Sequence, residues 1–189
     1  NSGGKLTPRE QEGTREDDTL LLGLEFTQWV GEALEVKLRI SRLDTQQYSN
    51  DQVDSVDTST FTTSTNFDRN LAELIVNGHA GKWAVFTAGA EYETEELEET
   101  SFFEIPAVFS STTLTDEGRS NRAIFAQASF RFWERVFITP GVRLEDNQQF
   151  GSDPNARIAA AYLHRETQTK IRASWGTGIT EPRLDQNFG

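Results

Sequence analysis

Residues 120–147, SNRAIFAQASFRFWERVFITPGVRLEDN, spell out a β-hairpin. Ile124, Ala126, Ala128, Phe130 and Phe132 alternate with Gln127, Ser129 and Arg131, and a tight polar turn follows at Trp133-Glu134-Arg135. Val136, Ile138, Pro140, Val142 and Leu144 then alternate with Thr139, Gly141, Arg143 and Glu145. Alternation of period two puts one set of side chains on each face of a sheet. One face of this hairpin is oily along its whole length and the other carries Gln, Arg and Glu. The fold therefore turns on which face meets water.

The same pattern recurs on both sides of the hairpin. Leu20, Leu22, Leu24 and Phe26 share one face, and after a turn near 29–32 the return strand sets Leu34, Val36, Leu38 and Ile40 against Glu35, Lys37, Arg39 and Ser41. Residues 69–79 fit a helical period through Leu71, Leu74, Ile75 and Gly78, and a strand through Ala72, Leu74, Val76 and Gly78. A turn near 80–82 and the alternating partner Ala84, Phe86, Ala88, Ala90 and Tyr92 favour the strand. Ile158, Ala160 and Tyr162, then Ile171, Ala173 and Trp175, make a last pair around a turn near 164–169. The chain is thus expected to be all-β, an antiparallel up-and-down meander of about eight strands in four hairpins. Residues 1–17 read as a loop or arm, 18–184 as the meander and 185–189 as a loop tail. Long polar loops are expected near 49–68, 100–119 and 147–154.

Short turns at one end and longer polar connections at the other are how membrane-spanning β-barrels are built. Phe26, Trp29, Trp83, Phe132 and Trp133 lie near the short turns, and Tyr48 and Tyr92 near the opposite ends, as two interfacial belts would require. Lipid offers the backbone no hydrogen bonds, so spanning strands must pair in a closed sheet with an apolar outer face. Arg39, Arg131, Arg143, Arg157 and Arg172 fall on the polar face and are expected to look into a wet lumen, where charge is inexpensive. In the middle of a small soluble sandwich it would not be. No run of 18 apolar residues is present, a test that leaves β-strand spans open.

Composition narrows the classes further. The net charge of -12 opposes nucleic-acid binding. With no cysteine there is no disulfide framework or thiolate metal site, and two histidines are too few for a His-rich zinc site. No methionine occurs, even at position 1, and no signal peptide, so the sequence is expected to be a piece of a longer one. No nucleophile motif such as G-x-S-x-G appears, and Gly176-Thr177-Gly178 is not followed by a helix, so neither hydrolase nor dinucleotide chemistry is indicated and the chain is not expected to be an enzyme.

Three stretches resemble the TonB-dependent outer-membrane receptors of Gram-negative bacteria. Phe137-Ile138-Thr139-Pro140-Gly141-Val142-Arg143-Leu144 looks like the family's "l-t-x-G-v-R-y-d" strand, and Phe150-Gly151-Ser152-Asp153-Pro154-Asn155-Ala156-Arg157 is similar to its "f-G-x-x-x-s-P-R" segment. Residues 171–182, IRASWGTGITEP, resemble "l-R-a-s-y-G-x-G-f-k-a-P", with Arg172, Gly176, Gly178 and Pro182 in register and Ile179, Thr180 and Glu181 departing from it. Residues 1–119 match in architecture alone. The resemblance implies a slice of a barrel of about 22 strands, without its plug, in the cell outer membrane. It implies as partners the bilayer and lipopolysaccharide, the rest of the barrel and the plug, the TonB protein acting through that plug, and a scarce nutrient such as a ferric siderophore or cobalamin. No cofactor is expected, save for a Ca²⁺ ion that outer-loop carboxylates could hold.

The loops supply the remaining candidates. Asp51, Asp54 and Asp57 recur at spacing three, and a Ca²⁺ ion in an outer loop would use such carboxylates. The ordinary alternative is a solvated acidic loop, and the EF-hand pattern is missing. Tyr48, Phe102, Phe103 and Phe109 are candidate ligand contacts, or else packing within their own loops. Two other architectures compete with the slice: a self-contained eight-stranded outer-membrane barrel, and a soluble carbohydrate-binding β-sandwich whose oily faces pack on each other. In a slice, the first and last strands are edges that must find partners.

Overall fold

The structure, a computed structural model, describes residues 13–53 and 58–178. They form eight strands: β1 (Thr14–Val30), β2 (Leu34–Asp51), β3 (Thr60–Ala80), β4 (Ala84–Ile105), β5 (Phe109–Phe132), β6 (Val136–Asn147), β7 (Gly151–His164) and β8 (Thr169–Gly176). All join one antiparallel sheet in the order β1-β2-β3-β4-β5-β6-β7-β8. The ambiguous stretch 69–79 lies within β3. There is no second sheet among the described residues, which removes the sandwich. Nor do β1 and β8 pair with each other there, so the sheet is open rather than a closed eight-stranded barrel.

The sheet has almost no core. Ala84, Leu97 and Ala123 are the buried apolar residues, while Leu22, Leu24, Phe26, Phe86, Ile124, Val142, Leu144, Ile158 and Trp175 are exposed. Leaving that much contiguous apolar surface against water is untenable for a soluble chain. Along β4 it runs from Ala84 to Tyr92, along β6 from Val136 to Leu144, close to the nine to eleven residues or so that a tilted strand needs to cross a bilayer. Among the described residues no helix is long and apolar enough to cross a membrane, and that says nothing of strands.

The strands outrun the expected loops. Residues 14–17 extend β1 into what reads as an arm, the connection expected over 49–68 narrows to 52–59, and the one expected over 147–154 narrows to a turn at 148–150. The stretch 100–119 holds the end of β4, a three-residue turn at 106–108 and the start of β5. Beyond the apolar band polar residues occupy both faces, so alternation vanishes although the ladder continues. Thr-rich segments such as Thr60–Thr65 still suit a pleated backbone. Residues 1–12, 54–57 and 179–189 lie outside the described residues, among them the tail 185–189.

The turns at the other end are short. Gly31 (φ 67°) and Gly81 (φ 57°) adopt left-handed backbone there. In the opening hairpin that conformation falls on Trp133 (φ 48°) and Glu134 (φ 57°), with Arg135 N–H donating to the Phe132 carbonyl at 3.0 Å. Two positive φ values match a primed hairpin turn, but without glycine they cost about 1 kcal/mol or more each. Arg165 in the next turn binds the Glu134 carboxylate, and its hydrogen bond and charge hold that carboxyl below its usual range.

One side chain caps the free amides of the β6–β7 turn. Asn147 is 2% exposed, and its Oδ1 accepts from the backbone N–H of Gln149 (2.9 Å) and Phe150 (3.3 Å). Asn147→Ala leaves both donors to find other acceptors and is expected to cost about 1 to 2 kcal/mol. Faster amide exchange at 149 and 150 than in the unchanged 133–135 turn is the measurement; equal rates would remove the role given to Asn147.

Candidate functional site

The register assigns every side chain to a face. Glu25 stands opposite Arg39, Arg39 opposite Glu73, and Glu73 opposite Glu91, while their neighbours Leu24, Ile40, Ala72 and Tyr92 share the other face. The polar side is the crowded one: the side chains of Glu73, Glu91, Glu93 and Glu95 are between 11% and 19% exposed, whereas Leu24, Val142 and Trp175 are 58% or more. Crowding on one face and splaying on the other is what a sheet curled towards its polar side produces. At Gly89 the crowding is tightest, because the Phe125 ring lies where a Cβ would be.

Ion pairs run up this concave face. Arg39 Nε donates to Glu25 at 2.7 Å and its Nη1 to Glu73 at 3.2 Å. Arg143 bridges Glu91 (2.9 Å) and Glu145 (3.1 Å). Beyond the apolar band, Arg69 binds Glu93 and lies 3.8 Å from Glu95, which also takes Arg119. Burial works against the charge on Arg69, but the hydrogen bond to Glu93 and the nearby carboxylates outweigh it and hold the guanidinium above its ordinary value. Within the run Glu91–Glu99, Glu91, Glu93 and Glu95 bind arginines, Glu99 accepts from Thr65 and Ser101, and the even members Glu96 and Glu98 point to the other side.

The five arginines expected to line the lumen all fall on this face, yet they differ in company. Arg39 and Arg143 are held by carboxylates. Arg131 donates to the Lys82 carbonyl at 2.8 Å, Arg157 donates to Gln127, and Arg172 stands opposite Ala161. Gly176 pairs with Arg157 at the end of β8, and Gly178 follows it; Pro182 lies outside the described residues. Glu73, Glu91, Arg69, Arg119 and Phe125 are absent from the sequence-derived candidates. Their signal is Cα register, which a single strand's alternation does not carry.

Aromatic placement is mixed. On the apolar face near the short turns, Trp83, Phe86, Phe130, Phe132 and Trp133 form a continuous chain with centroids 5.8 to 6.5 Å apart. At the other edge of the band Tyr92 lies under the Arg122 guanidinium at 5.7 Å. Trp29, however, is on the polar face, where it meets His79 at 5.3 Å. Past the band, β4 reaches roughly 40 Å along the strand from Tyr92 to Ile105 at about 3.3 Å per residue. Of the proposed ligand contacts, Phe103 stands opposite Phe61, and Phe109 opposite Ile105, all on the polar-face side. Tyr48 and Phe102 project from the other side, so the four do not converge. Asp51 ends β2 opposite Phe61, and Asp54 and Asp57 lie outside the described residues. Among the described residues no three His, Asp or Glu side chains group as a metal site.

An open meander with a lipid-compatible convex face and an ion-paired concave face has counterparts among solved structures. The ferric citrate transporter FecA matches with a TM-score of 0.65 at 13% identity, over 86% of this chain and 27% of that one. The copper transporter OprC matches with a TM-score of 0.70 at 12% identity, over 84% and 29%. The ferric yersiniabactin uptake receptor FyuA from Yersinia pestis matches with 0.56 at 11% identity, over 87% and 24%. At such identities the likeness is one of fold, and the chain spans less than a third of each. No curated protein matches the sequence significantly. The family model for the β-barrel of TonB-dependent receptor-like proteins covers residues 1–189, the whole sequence, and the chain belongs to that family, one of receptors and transporters rather than enzymes.

Proposed function

We propose that this chain is a stretch of the wall of an outer-membrane transporter of a Gram-negative bacterium, one that imports a scarce nutrient such as a ferric siderophore or cobalamin. The observation that carries the reading is the division of one sheet into an apolar convex band and a concave face that carries paired arginines and carboxylates. A wall between lipid and a water-filled, occupied interior needs both, and neither is of use to a soluble domain. The strands β1 and β8 then continue into further strands of the barrel, which answers the open edges. The plug inside the barrel and the TonB protein that acts on it belong to this reading, as do lipid and lipopolysaccharide around the band. The strand extensions beyond the band, with Phe61, Phe103 and Phe109, would form outer walls that meet the ligand first. Two of the structural neighbours carry ferric complexes by name, another copper, so the choice of an iron complex or cobalamin rests on analogy of architecture.

Uptake by cells tests this. In a host lacking the full-length gene, before and after that gene is restored, accumulation of labelled ferric siderophores and cobalamin is measured with and without TonB, alongside outer-membrane fractionation. The expected result is the polypeptide in the outer-membrane fraction of the restored strain and, for one of these ligands, uptake that returns with the gene and requires TonB. Unchanged uptake of all of them, with the protein in that fraction, would discard the ligand class and keep the barrel; a soluble protein would discard both.

A further inference from the structure

Arginines on the concave face come in two kinds. Arg39 has Glu25 and Glu73 as its direct cross-strand neighbours and binds both. Arg157 occupies the same kind of position, but its direct neighbours are Gly141 on β6 and Gly176 on β8. At both of its direct cross-strand positions the sheet therefore carries no side chain. A Cβ at Gly141 would lie 3.5 Å from Arg157 Cγ and Nε, and one at Gly176 would lie 3.2 Å from Arg157 Cβ. The glycines thus let the arginine stem lie low across the sheet and leave the space above it open. Glycine serves where another group approaches the backbone closely.

The head group is only partly used. Arg157 Nη2 donates to Gln127 Oε1, a neutral acceptor, and among the described residues no carboxylate lies within ion-pairing distance. Glu73, which lines the same hollow, is committed to Arg39, and Asp153 accepts from Asn155. A guanidinium offers five donors in a planar fork that matches a carboxylate with two parallel bonds. Asn155 and Phe125 frame the hollow on the side of Arg143.

We propose that Arg157, set between Gly141 and Gly176, is a carboxylate-binding site that receives its anion from outside the described sheet. The carboxylate is carried either by another stretch of the same polypeptide or by a small solute in the interior. The inference rests on reading the concave face as a lumen, and the test keeps the two apart.

The test uses the full-length polypeptide in detergent and in liposomes. Arg157→Lys places an amine in the cradle, and a water-soluble carbodiimide joins it to any carboxylate in contact. Peptide mass spectrometry is expected to find position 157 coupled to an Asp or Glu from outside residues 13–178. Failing that, millimolar succinate is expected to couple at 157 in preference to the exposed Lys82, a preference abolished by adding Gly141→Glu. The first result assigns the source to the chain itself, the second to a solute. Coupling to an acid of this sheet, or coupling to succinate no greater than at Lys82, overturns the site. Should the variant not assemble, phenylglyoxal modification of native Arg157 decides: slower than at Arg165, or slowed by succinate, supports the site, and neither overturns it. The lumen reading is checked separately with Val142→Cys, read at the peptide that carries position 142, since these 189 residues hold no other cysteine. Labelling by a lipid-soluble but not a water-soluble maleimide sustains it whatever happens at Arg157.

Discussion

The substitution Val142→Arg is expected to destabilise the assembled barrel by about 2 to 4 kcal/mol, the depth-dependent range for a basic residue facing lipid. Val142 is 58% exposed, sits on the convex face between Ala126 and Ala156, and belongs to the apolar run of β6. Small neighbours give an arginine there no polar partner within the sheet, and its stem must reach the band edge to solvate its charge. One residue on, Arg143→Gln is expected to cost about 1 kcal/mol or less, because it loosens Glu91 and Glu145 on a face that water reaches. Folding of the full-length chain into liposomes, followed by urea titration, measures both. Similar losses at the two positions would reverse or abolish the orientation given to the sheet.

That contrast shows how far the sequence alone reaches. Membrane-level strands were legible because one face there is oily: the period-two signal in 124–132 and 136–144 survives intact in β5 and β6. It fades at Arg42, Asp44 and Asp68, where both faces turn polar, and the continued ladder of β2 and β3 was not visible. Alternation also places each arginine on a face without saying what stands across from it. Arg39 between two glutamates and Arg157 between two glycines look alike within their own strands, and differ only once Cα register is known. Trp29 illustrates the opposite error. Closeness to a turn suggested an interfacial belt, but parity along β1 puts it with Glu25 and against His79. The family resemblance was carried by 137–182, the stretch whose glycines and arginines are fixed by this same register.

The second large effect is expected at Gly89. A Cβ built there falls 2.3 Å from Phe125 Cζ and 2.8 Å from the Leu74 carbonyl oxygen, both inside any real contact distance. The ring can swing away, but the carbonyl belongs to the β3 ladder and cannot. Gly89→Ala is therefore expected to cost about 2 to 3 kcal/mol, at the upper part of the range for overpacking. Phe125→Ala removes the ring and uncovers the glycine backbone, so it too destabilises, by an amount set by the apolar area the ring covers. The two losses should not add. In the double variant the new methyl enters space the ring has left, so the coupling energy is favourable and of the order of 1 kcal/mol, while the clash with Leu74 remains and prevents full rescue. Urea unfolding of the four proteins in liposomes gives the cycle. Strict additivity would mean that Phe125 does not lie on Gly89, and the curl of the sheet towards its polar face would lose its most direct support.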